Sequence, residues 1–334
     1  MLPPEIQRIV LLIGLAAVGY LLILAWTEDM EAAKAPMVYS DSPVLSQQPL
    51  AAESDRPVVD EFAPIDSDIA PVPQAPVTQP AVGKGRLVKV ETPVLEVWID
   101  LLGGDIARVQ LPTYPISLEQ PDTPFLLMDR SASRTYIAQS ALIGSDGIDK
   151  TGARPLYEAA SDSLTLSEGG ELVLTTTLDD ARVSKIFAFE PESHLINIRY
   201  EVVNLATRSK TMRLLTQIKR DRLPPPTDET VPLAPSPYLG GALTTPDNNY
   251  KKVDFDDLDE GNFQASAIGG WMAFLQHYFL TAWVAPSDQA TNYLARKTSD
   301  GFYLFGFTGQ NQSIQPGATG CLLYTSPSPR DQLQ

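Results

Sequence analysis

The stretch Leu195-Ile-Asn-Ile-Arg-Tyr-Glu-Val-Val203 places apolar and polar residues at alternate positions. Successive side chains of a β-strand point to opposite faces, so Ile196, Ile198, Tyr200 and Val202 would share one face and the polar residues between them the other. This pattern is typical of an antiparallel strand with one face in a core and one face in water. The stretch therefore predicts a half-buried β-strand.

Similar short runs occur on both sides of this strand. Gly169-Gly170 and Asp179-Asp180 provide turn residues between neighbouring runs, and no long amphipathic helical pattern interrupts the region. Many short strands in one region of this length predict a single large all-β domain, an antiparallel β-sandwich over residues 84–320. The further predicted strands are Arg86–Val90, Val94–Asp100, Ile106–Leu111, Leu164–Leu166, Glu171–Leu178, Val183–Phe189, Met212–Ile218 and Phe302–Phe307.

The N-terminal region carries an uncharged apolar run from Ile9 to Trp26. As a helix, a run of this length would rise about 27 Å, close to the roughly 30 Å hydrocarbon core of a bilayer. Arg8 precedes the run and Glu28 follows it, so the rule that positive charge stays inside predicts a cytoplasmic N-terminus, residues 1–8. The sequence thus predicts a transmembrane helix, 9–26, that places the β domain in the periplasm.

A cleaved signal peptide is the alternative interpretation of this run. The apolar core of a signal peptide usually has about 7–15 residues, and this run is longer. The small-x-small site Ala33-Lys34-Ala35 lies well beyond the run and directly precedes Pro36. We therefore expect a retained anchor, and a mature chain beginning at Pro36 would contradict this expectation.

Residues 27–83 have the composition of a disordered linker. They contain nine prolines, and ten acidic residues face only Lys34 and Arg56. The apolar residues follow neither a period of 2 nor one of 3.6, so no face could be buried. A second Pro-rich stretch, Leu223–Pro237, is predicted to be an exposed loop because proline cannot occupy a central strand.

Composition excludes several classes of function. The net charge of −16 argues against nucleic acid as a partner and against a cationic patch for anionic lipid head groups. Cys321 is the only cysteine, so no intrachain disulfide can form, and with two histidines no zinc constellation is available. We expect no metal and no cofactor.

The acidic stretch Lys251–Gly261 has the composition of a calcium-binding loop but not its spacing. An EF-hand needs glycine at position 6 and glutamate at position 12. Counting from Asp254, those positions hold Asp259 and Ala265, so the pattern fails.

The densest apolar stretch of the β region, Gly269–Pro286, is predicted to form strand and core, with an aromatic-lined cleft as the alternative. This stretch contains His277, and His194 directly precedes the predicted strand Leu195–Val203. Both histidines are predicted to be structural. Neither a Gly-x-Ser-x-Gly elbow nor a phosphate-binding glycine loop occurs, and Cys321 is predicted to lie in an unstructured tail. No catalytic residue is predicted, and the chain is expected not to be an enzyme.

An ordered set of short segments resembles the N-terminal part of the bacterial YidC membrane protein insertases. Together with the anchor and the acidic Pro-rich linker, the resemblance covers residues 1 to about 320. The segments are Gly103-Gly104-Asp105-Ile106, Leu111-Pro112-Thr113-Tyr114-Pro115, Ala153-Arg154-Pro155-Leu156-Tyr157, Thr245-Pro246-Asp247, Tyr250-Lys251-Lys252, Gly269-Gly270-Trp271 through Ala282-Trp283, and Gln315-Pro316-Gly317.

This resemblance implies a galactose-mutarotase-like β-sandwich and a role as insertase and chaperone for integral inner-membrane proteins. It implies nascent membrane proteins, the lipid bilayer and the Sec translocon with its accessory subunits as partners. Family members continue into a bundle of five more transmembrane helices, which receives substrates in a hydrophilic groove. Residues 321–334 do not resemble that continuation and are predicted to be a non-native or truncated tail, so no insertase site residue can be assigned.

Two other functions remain as alternatives. One is an anchored carbohydrate-binding or mutarotase-like protein, whose chemistry would need a histidine acid and a carboxylate base across a cleft. The other is an anchored scaffold with a binding β domain.

Overall fold

The computed structural model describes residues 86–149, 154–178, 180–225, 238–276 and 278–324. The predicted N-terminal segment, anchor and linker lie outside this range, as do His277, most of the Pro-rich loop and the end of the predicted tail. Within the described part, no helix has the length and apolar character needed to cross a membrane.

The described chain is almost entirely β-structure, which confirms the all-β prediction. A single short helix, α1, spans Phe255–Glu260 among the described residues and is capped by Asp254. The strands are β1 Leu87–Glu91, β2 Glu96–Asp100, β3 Asp105–Ser117, β4 Gln120–Arg130, β5 Thr135–Ile143, β6 Glu158–Ala159, β7 Ser163–Thr165, β8 Gly170–Leu178, β9 Ala181–Phe189, β10 Ile196–Asn204, β11 Lys210–Arg220, β12 Gly240–Thr245, β13 Asn248–Val253, β14 Phe263–Ile268, β15 Trp271–Leu275, β16 Leu280–Val284, β17 Ala290–Lys297, β18 Tyr303–Thr308, β19 Gln312–Ile314 and β20 Thr319–Tyr324.

These strands form three sheets. The largest has eleven strands in the order β14-β17-β18-β11-β5-β4-β3-β2-β1-β7, with β19 also paired to β11. A five-stranded sheet has the order β20-β10-β9-β8-β6, and a four-stranded sheet has the order β13-β12-β15-β16. Among the described strands, β1 and β7 are parallel, and every other pair is antiparallel.

The core is built from the faces that alternation predicts. Ile198, Tyr200 and Val202 of β10 are buried, whereas Arg199 and Glu201 between them are more accessible. The same hydrophobic cluster contains residues of all three sheets, for example Val97 of β2 and Phe274 of β15. One shared core therefore joins the sheets into a single sandwich-type domain.

The prediction for Cys321 is wrong. Residues Thr319–Tyr324 form β20, and Cys321 pairs with Glu201 of β10. The adjacent Leu322 is buried in the core, and this burial stabilises the pairing of β20 with β10. The boundary predicted at residue 320 thus falls inside a strand, and the origin of the residues beyond 324 stays a prediction.

Gly269–Pro286 is not one strand but two. β15 and β16 form a hairpin in which the Gln276 amide donates to the Phe279 carbonyl at 2.7 Å. Met272, Ala273 and Phe274 are completely buried, which confirms the prediction of core. The second strand of the hairpin has a different environment, because it borders a cleft.

Candidate functional site

An apolar cleft of about 350 Å³ lies between β16, the first half of β10 and the strands β3 and β4. Its walls include Ile106 and Val109 from β3, Ile198 from β10, and the whole of β16. Both predictions for the aromatic stretch are thus realised, because β15 fills the core and β16 lines a cleft. A concave apolar surface of this size is the usual form of a binding site.

Aromatic rings close one side of the cleft. The centre of the Phe279 ring lies 4.4 Å from the centre of the Phe125 ring and 5.3 Å from that of the Tyr114 ring. The planes of the Phe279 and Tyr114 rings are nearly perpendicular. The His194 ring lies 5.9 Å from Tyr114 at the rim. Such offset and edge contacts are the favoured arrangements of aromatic pairs, so the wall is held by its own packing.

The position of β16 is set from the opposite side by Trp283. Its indole Nε1 donates to the Gln217 carbonyl of β11 at 3.1 Å, and the side chain is buried. The hairpin is therefore fixed to the large sheet at one end and to the aromatic wall at Phe279.

The described lining of the cleft contains no aspartate, glutamate, lysine or arginine. Mutarotase chemistry needs an acid and a base that face each other across the substrate. His194 contacts Tyr114, and no carboxylate shares the described lining with it. This cleft suits an apolar ligand better than a sugar.

A buried ionic cluster begins beside the cleft. Ile106 and Ala138 line the cleft, and their chain neighbours Asp105 and Gln139 belong to the cluster. Gln139 Nε2 donates to Asp105 Oδ2 at 2.7 Å. The sequence analysis singled out the segments around Gly103 and Arg154 but did not predict that they meet in an ionic cluster, because its members come from distant parts of the chain.

Arg154 is the centre of the cluster. Its Nη1 donates to both carboxylate oxygens of Asp105, at 2.7 and 2.8 Å, and its Nε donates to Asp149 at 3.0 Å. Its Nη2 donates to the carbonyl oxygens of Gly103 and Ser140, each at 3.0 Å. Charge-assisted bonds of this kind are the strong ones, and here all donor nitrogens of the guanidinium are used.

Lys185, which is completely buried, binds the same two carbonyl groups. Its Nζ donates to the carbonyl oxygen of Gly103 at 3.0 Å and to that of Ser140 at 3.2 Å. The ammonium also lies 5.2 Å from the centre of the Tyr200 ring. Lys185 is on β9 and Ser140 on β5, so the cluster links the five-stranded sheet to the eleven-stranded sheet.

The electrostatics of these groups follow from burial and neighbouring charge. Burial lowers the pKa of Lys185 to about 7, although Asp105 opposes the shift. Burial by itself raises the pKa of Asp105, but Arg154, Lys185 and Arg130 outweigh it and hold the pKa below its usual value. Burial raises the pKa of Asp149 despite the attraction of Arg154.

The backbone at Gly103 and Gly104 makes the cluster possible. Both have positive φ, +80° and +66°. A Cβ at residue 103 would lie 2.3 Å from the Arg154 guanidinium carbon, and one at residue 104 would lie 2.7 Å from Lys185 Cδ. Glycine is required here because the Gly103 carbonyl must approach two cations closely.

The acidic stretch considered for calcium is occupied by its own contacts. Asp254 and Asp257 cap α1 reciprocally. Asp259 accepts from Lys297 Nζ and from the Tyr303 hydroxyl, each at 2.8 Å. These carboxylates thus cap the helix or bind side chains of the neighbouring strands β17 and β18.

A family model described as the YidC periplasmic domain matches residues 87–330. The chain belongs to the YidC periplasmic domain family. Within the matched region, the Arg154 cluster joins two of the segments that carried the resemblance, the one at residues 103–106 and the one around Arg154.

Curated relatives are named "Membrane protein insertase YidC". The chain is 37% identical to the protein from Azotobacter vinelandii and 35% identical to that from Stutzerimonas stutzeri. Each alignment covers 99% of this chain and 60% of the relative. The chain thus spans about 60% of the length of these YidC relatives.

Solved structures with a similar fold include one described as a galactose mutarotase related enzyme and one described as a galactose mutarotase-like protein. They come from Lactobacillus acidophilus, with a TM-score of 0.42, and Lactobacillus casei, with a TM-score of 0.43. Each is 10% identical, and they cover 72% and 71% of this chain and 97% and 98% of their own. The likeness is distant, and no conclusion about activity follows from it.

Proposed function

We propose that this chain is the anchor and periplasmic part of a membrane protein insertase. In this role it assists the insertion and folding of integral inner-membrane proteins, alone or together with the Sec translocon and its accessory subunits. Membership of the YidC periplasmic domain family and the names of the curated relatives support the proposal. The role is one of binding and not of catalysis.

The geometry of the cleft beside β16 indicates where such a protein could bind. The cleft beside β16 is apolar, and no charged side chain lines its described part. Burying apolar surface is favourable by about 25 cal/mol per Å², whereas burying an unpaired charge is costly. The cleft therefore favours an uncharged apolar segment, such as the exported part of a nascent membrane protein.

Isolation of stalled ribosomes tests this role. The tagged chain is produced in a bacterium in which translation is arrested either on an inner-membrane protein or on a soluble cytoplasmic protein. We expect the chain to co-isolate with the first kind of nascent chain and, in the same sample, with Sec accessory subunits. Equal recovery of both nascent chains would contradict the proposal.

The location of the domain has a separate test. We propose that the N-terminus is cytoplasmic and the β domain periplasmic, as the charges around residues 9–26 indicate. Cys321 is exposed and is the only cysteine, so it can report the side of the membrane. A membrane-impermeant maleimide should label it in intact spheroplasts, and labelling only after lysis would overturn the orientation.

A further inference from the structure

The outer edge of β16 is left without a partner strand in the described part of the chain. β16 ends the four-stranded sheet, in which it pairs only with β15. An edge strand presents a row of backbone N–H and C=O groups to which another chain can pair. Here that edge coincides with a cleft, because residues 279–284 all belong to its lining.

The ladder pattern shows which groups point outward. The Gln276 amide donates to the Phe279 carbonyl at 2.7 Å, and the Ala285 amide donates to the Gly270 carbonyl at 2.8 Å. Hydrogen-bonded and non-hydrogen-bonded pairs alternate along an antiparallel ladder. The backbone groups of Thr281 and Trp283 are therefore hydrogen-bonded to β15. The alternate residues Leu280, Ala282 and Val284 form the non-bonded pairs, so their backbone groups point to the outer edge.

The same edge is accessible to a partner. Leu280 is 55% exposed, and Ala282 is also exposed. Across the cleft, apolar side chains of β3, β4 and β10 face it, among them Val109, Met128 and Ile198. A strand laid along this edge would thus find backbone partners on one side and an apolar surface on the other.

We propose that the outer edge of β16 receives an extended, uncharged and apolar segment of a nascent inner-membrane protein as an added strand, whose alternate side chains enter the cleft. The outward N–H and C=O groups of β16, which have no strand partner among the described residues, match a peptide backbone, and an acyl chain has no such groups. No charged side chain belongs to the described lining, so a charge on the bound segment would be buried without a partner, and the site disfavours a charged segment. Strand addition of this kind draws affinity from the main chain and selectivity from the pocket.

The linker of this chain is a poor occupant of the same edge. Its uncharged part, Ile69–Gly83, contains four prolines. Proline has no N–H to donate to a ladder, so this segment cannot pair continuously with β16. Five residues, the length of β16, span about 17 Å, so the added segment needs about five to six residues.

The proposal rests on the proposed function only for the source of the segment; the geometry stands independently. Its test uses the full chain in lipid nanodiscs and a fluorescein-labelled peptide with the centre Val-Thr-Val-Leu-Val-Thr between soluble Gly-Ser-Lys flanks. Binding is measured by fluorescence polarisation. Failure of the peptide to bind would overturn this inference, whereas co-isolation with stalled ribosomes would still decide the proposed function.

Ala282→Pro is the decisive variant. It removes an outward N–H and leaves the bonded pairs with β15 in place. The matched control is Gln264→Pro on β14, another sheet edge, where the Gly269-to-Gln289 bond of 2.9 Å sets the register and Gln264 points outward. We expect the Kd to rise about tenfold for Ala282→Pro and to stay unchanged for Gln264→Pro.

A second measurement keeps the test valid if Ala282→Pro fails to fold. A peptide N-methylated at alternate residues keeps its side chains but loses its ladder donors, and it should bind the unchanged chain about tenfold more weakly. Equal binding of both peptides would overturn strand addition. Binding only after deletion of residues 27–83, or binding of a fluorescent fatty acid in place of the peptide, would also overturn it.

Discussion

Arg154 holds both carboxylate oxygens of Asp105, at 2.7 and 2.8 Å, and so joins positions that are 49 residues apart in the sequence. Both side chains are nearly inaccessible to solvent, 9% for Arg154 and 4% for Asp105. Burial by itself lowers the pKa of Arg154, but Asp105 and Asp149 raise it above its usual value. The guanidinium therefore stays charged, and the cluster depends on it.

Replacing this guanidinium should destabilise the domain strongly. Arg154→Met leaves Asp105 and Asp149 buried without their main partner, and breaking a buried pair costs about 3–5 kcal/mol. Urea unfolding of the full chain in nanodiscs, followed by tryptophan fluorescence, measures the effect. The control is Arg199→Met, which removes a more exposed pair with Glu171 and should cost less than about 1 kcal/mol. Equal losses would show that the cluster has no special role.

Stability should depend on pH through Lys185. The pKa of about 7 in the folded state lies below the ordinary lysine value of 10.5, so between these values the unfolded chain binds more protons. The free energy of unfolding then rises with pH across this window. Lys185→Met removes the titrating group. From pH 7 to 10, the free energy of unfolding of the unchanged chain should therefore rise relative to that of the variant. Parallel curves would mean that Lys185 stays charged throughout.

The close approach at Gly103 can be separated from its backbone strain. Gly103→Ala and Gly317→Ala both place a Cβ at positive φ, +80° and +72°, but only the first meets a neighbour, the Arg154 guanidinium. Strain alone should cost about 1–2 kcal/mol at Gly317. Overpacking should add about 1–3 kcal/mol at Gly103. Urea midpoints of the two variants measure this difference, and coincident midpoints would contradict the assigned contact.

How much of the fold the sequence predicts depends on the environment of each strand. β10 has one buried and one accessible face, and alternation predicted it correctly. β5 was missed because it is buried at nearly every position, so its residues do not alternate. β4 was missed because its first half is exposed and contains prolines at 121 and 124. The hairpin turn between Gln276 and Phe279 carries no glycine, proline, asparagine or aspartate, so no local signal divided the aromatic stretch.

The candidate site was predicted only in part. The aromatic stretch indicated a cleft as one alternative, but the sequence could not show that β16 ends its sheet, because strand order depends on distant pairings. The ionic cluster left only indirect signs, the pair Gly103-Gly104 and the segment around Arg154. Single charges at Asp105, Arg154 and Lys185 look like surface residues until the chain is folded.

Site-specific photo-crosslinking tests the central claim most directly. A photoreactive amino acid replaces Leu280 at the outer edge of β16 or, as the control, Leu205 outside the cleft; the two residues are 55% and 54% exposed. Each variant is produced in cells in which translation is arrested on an inner-membrane protein. We predict crosslinks from position 280 to the nascent chain and few from position 205. Equal yields from both positions, or none from position 280, would contradict the account.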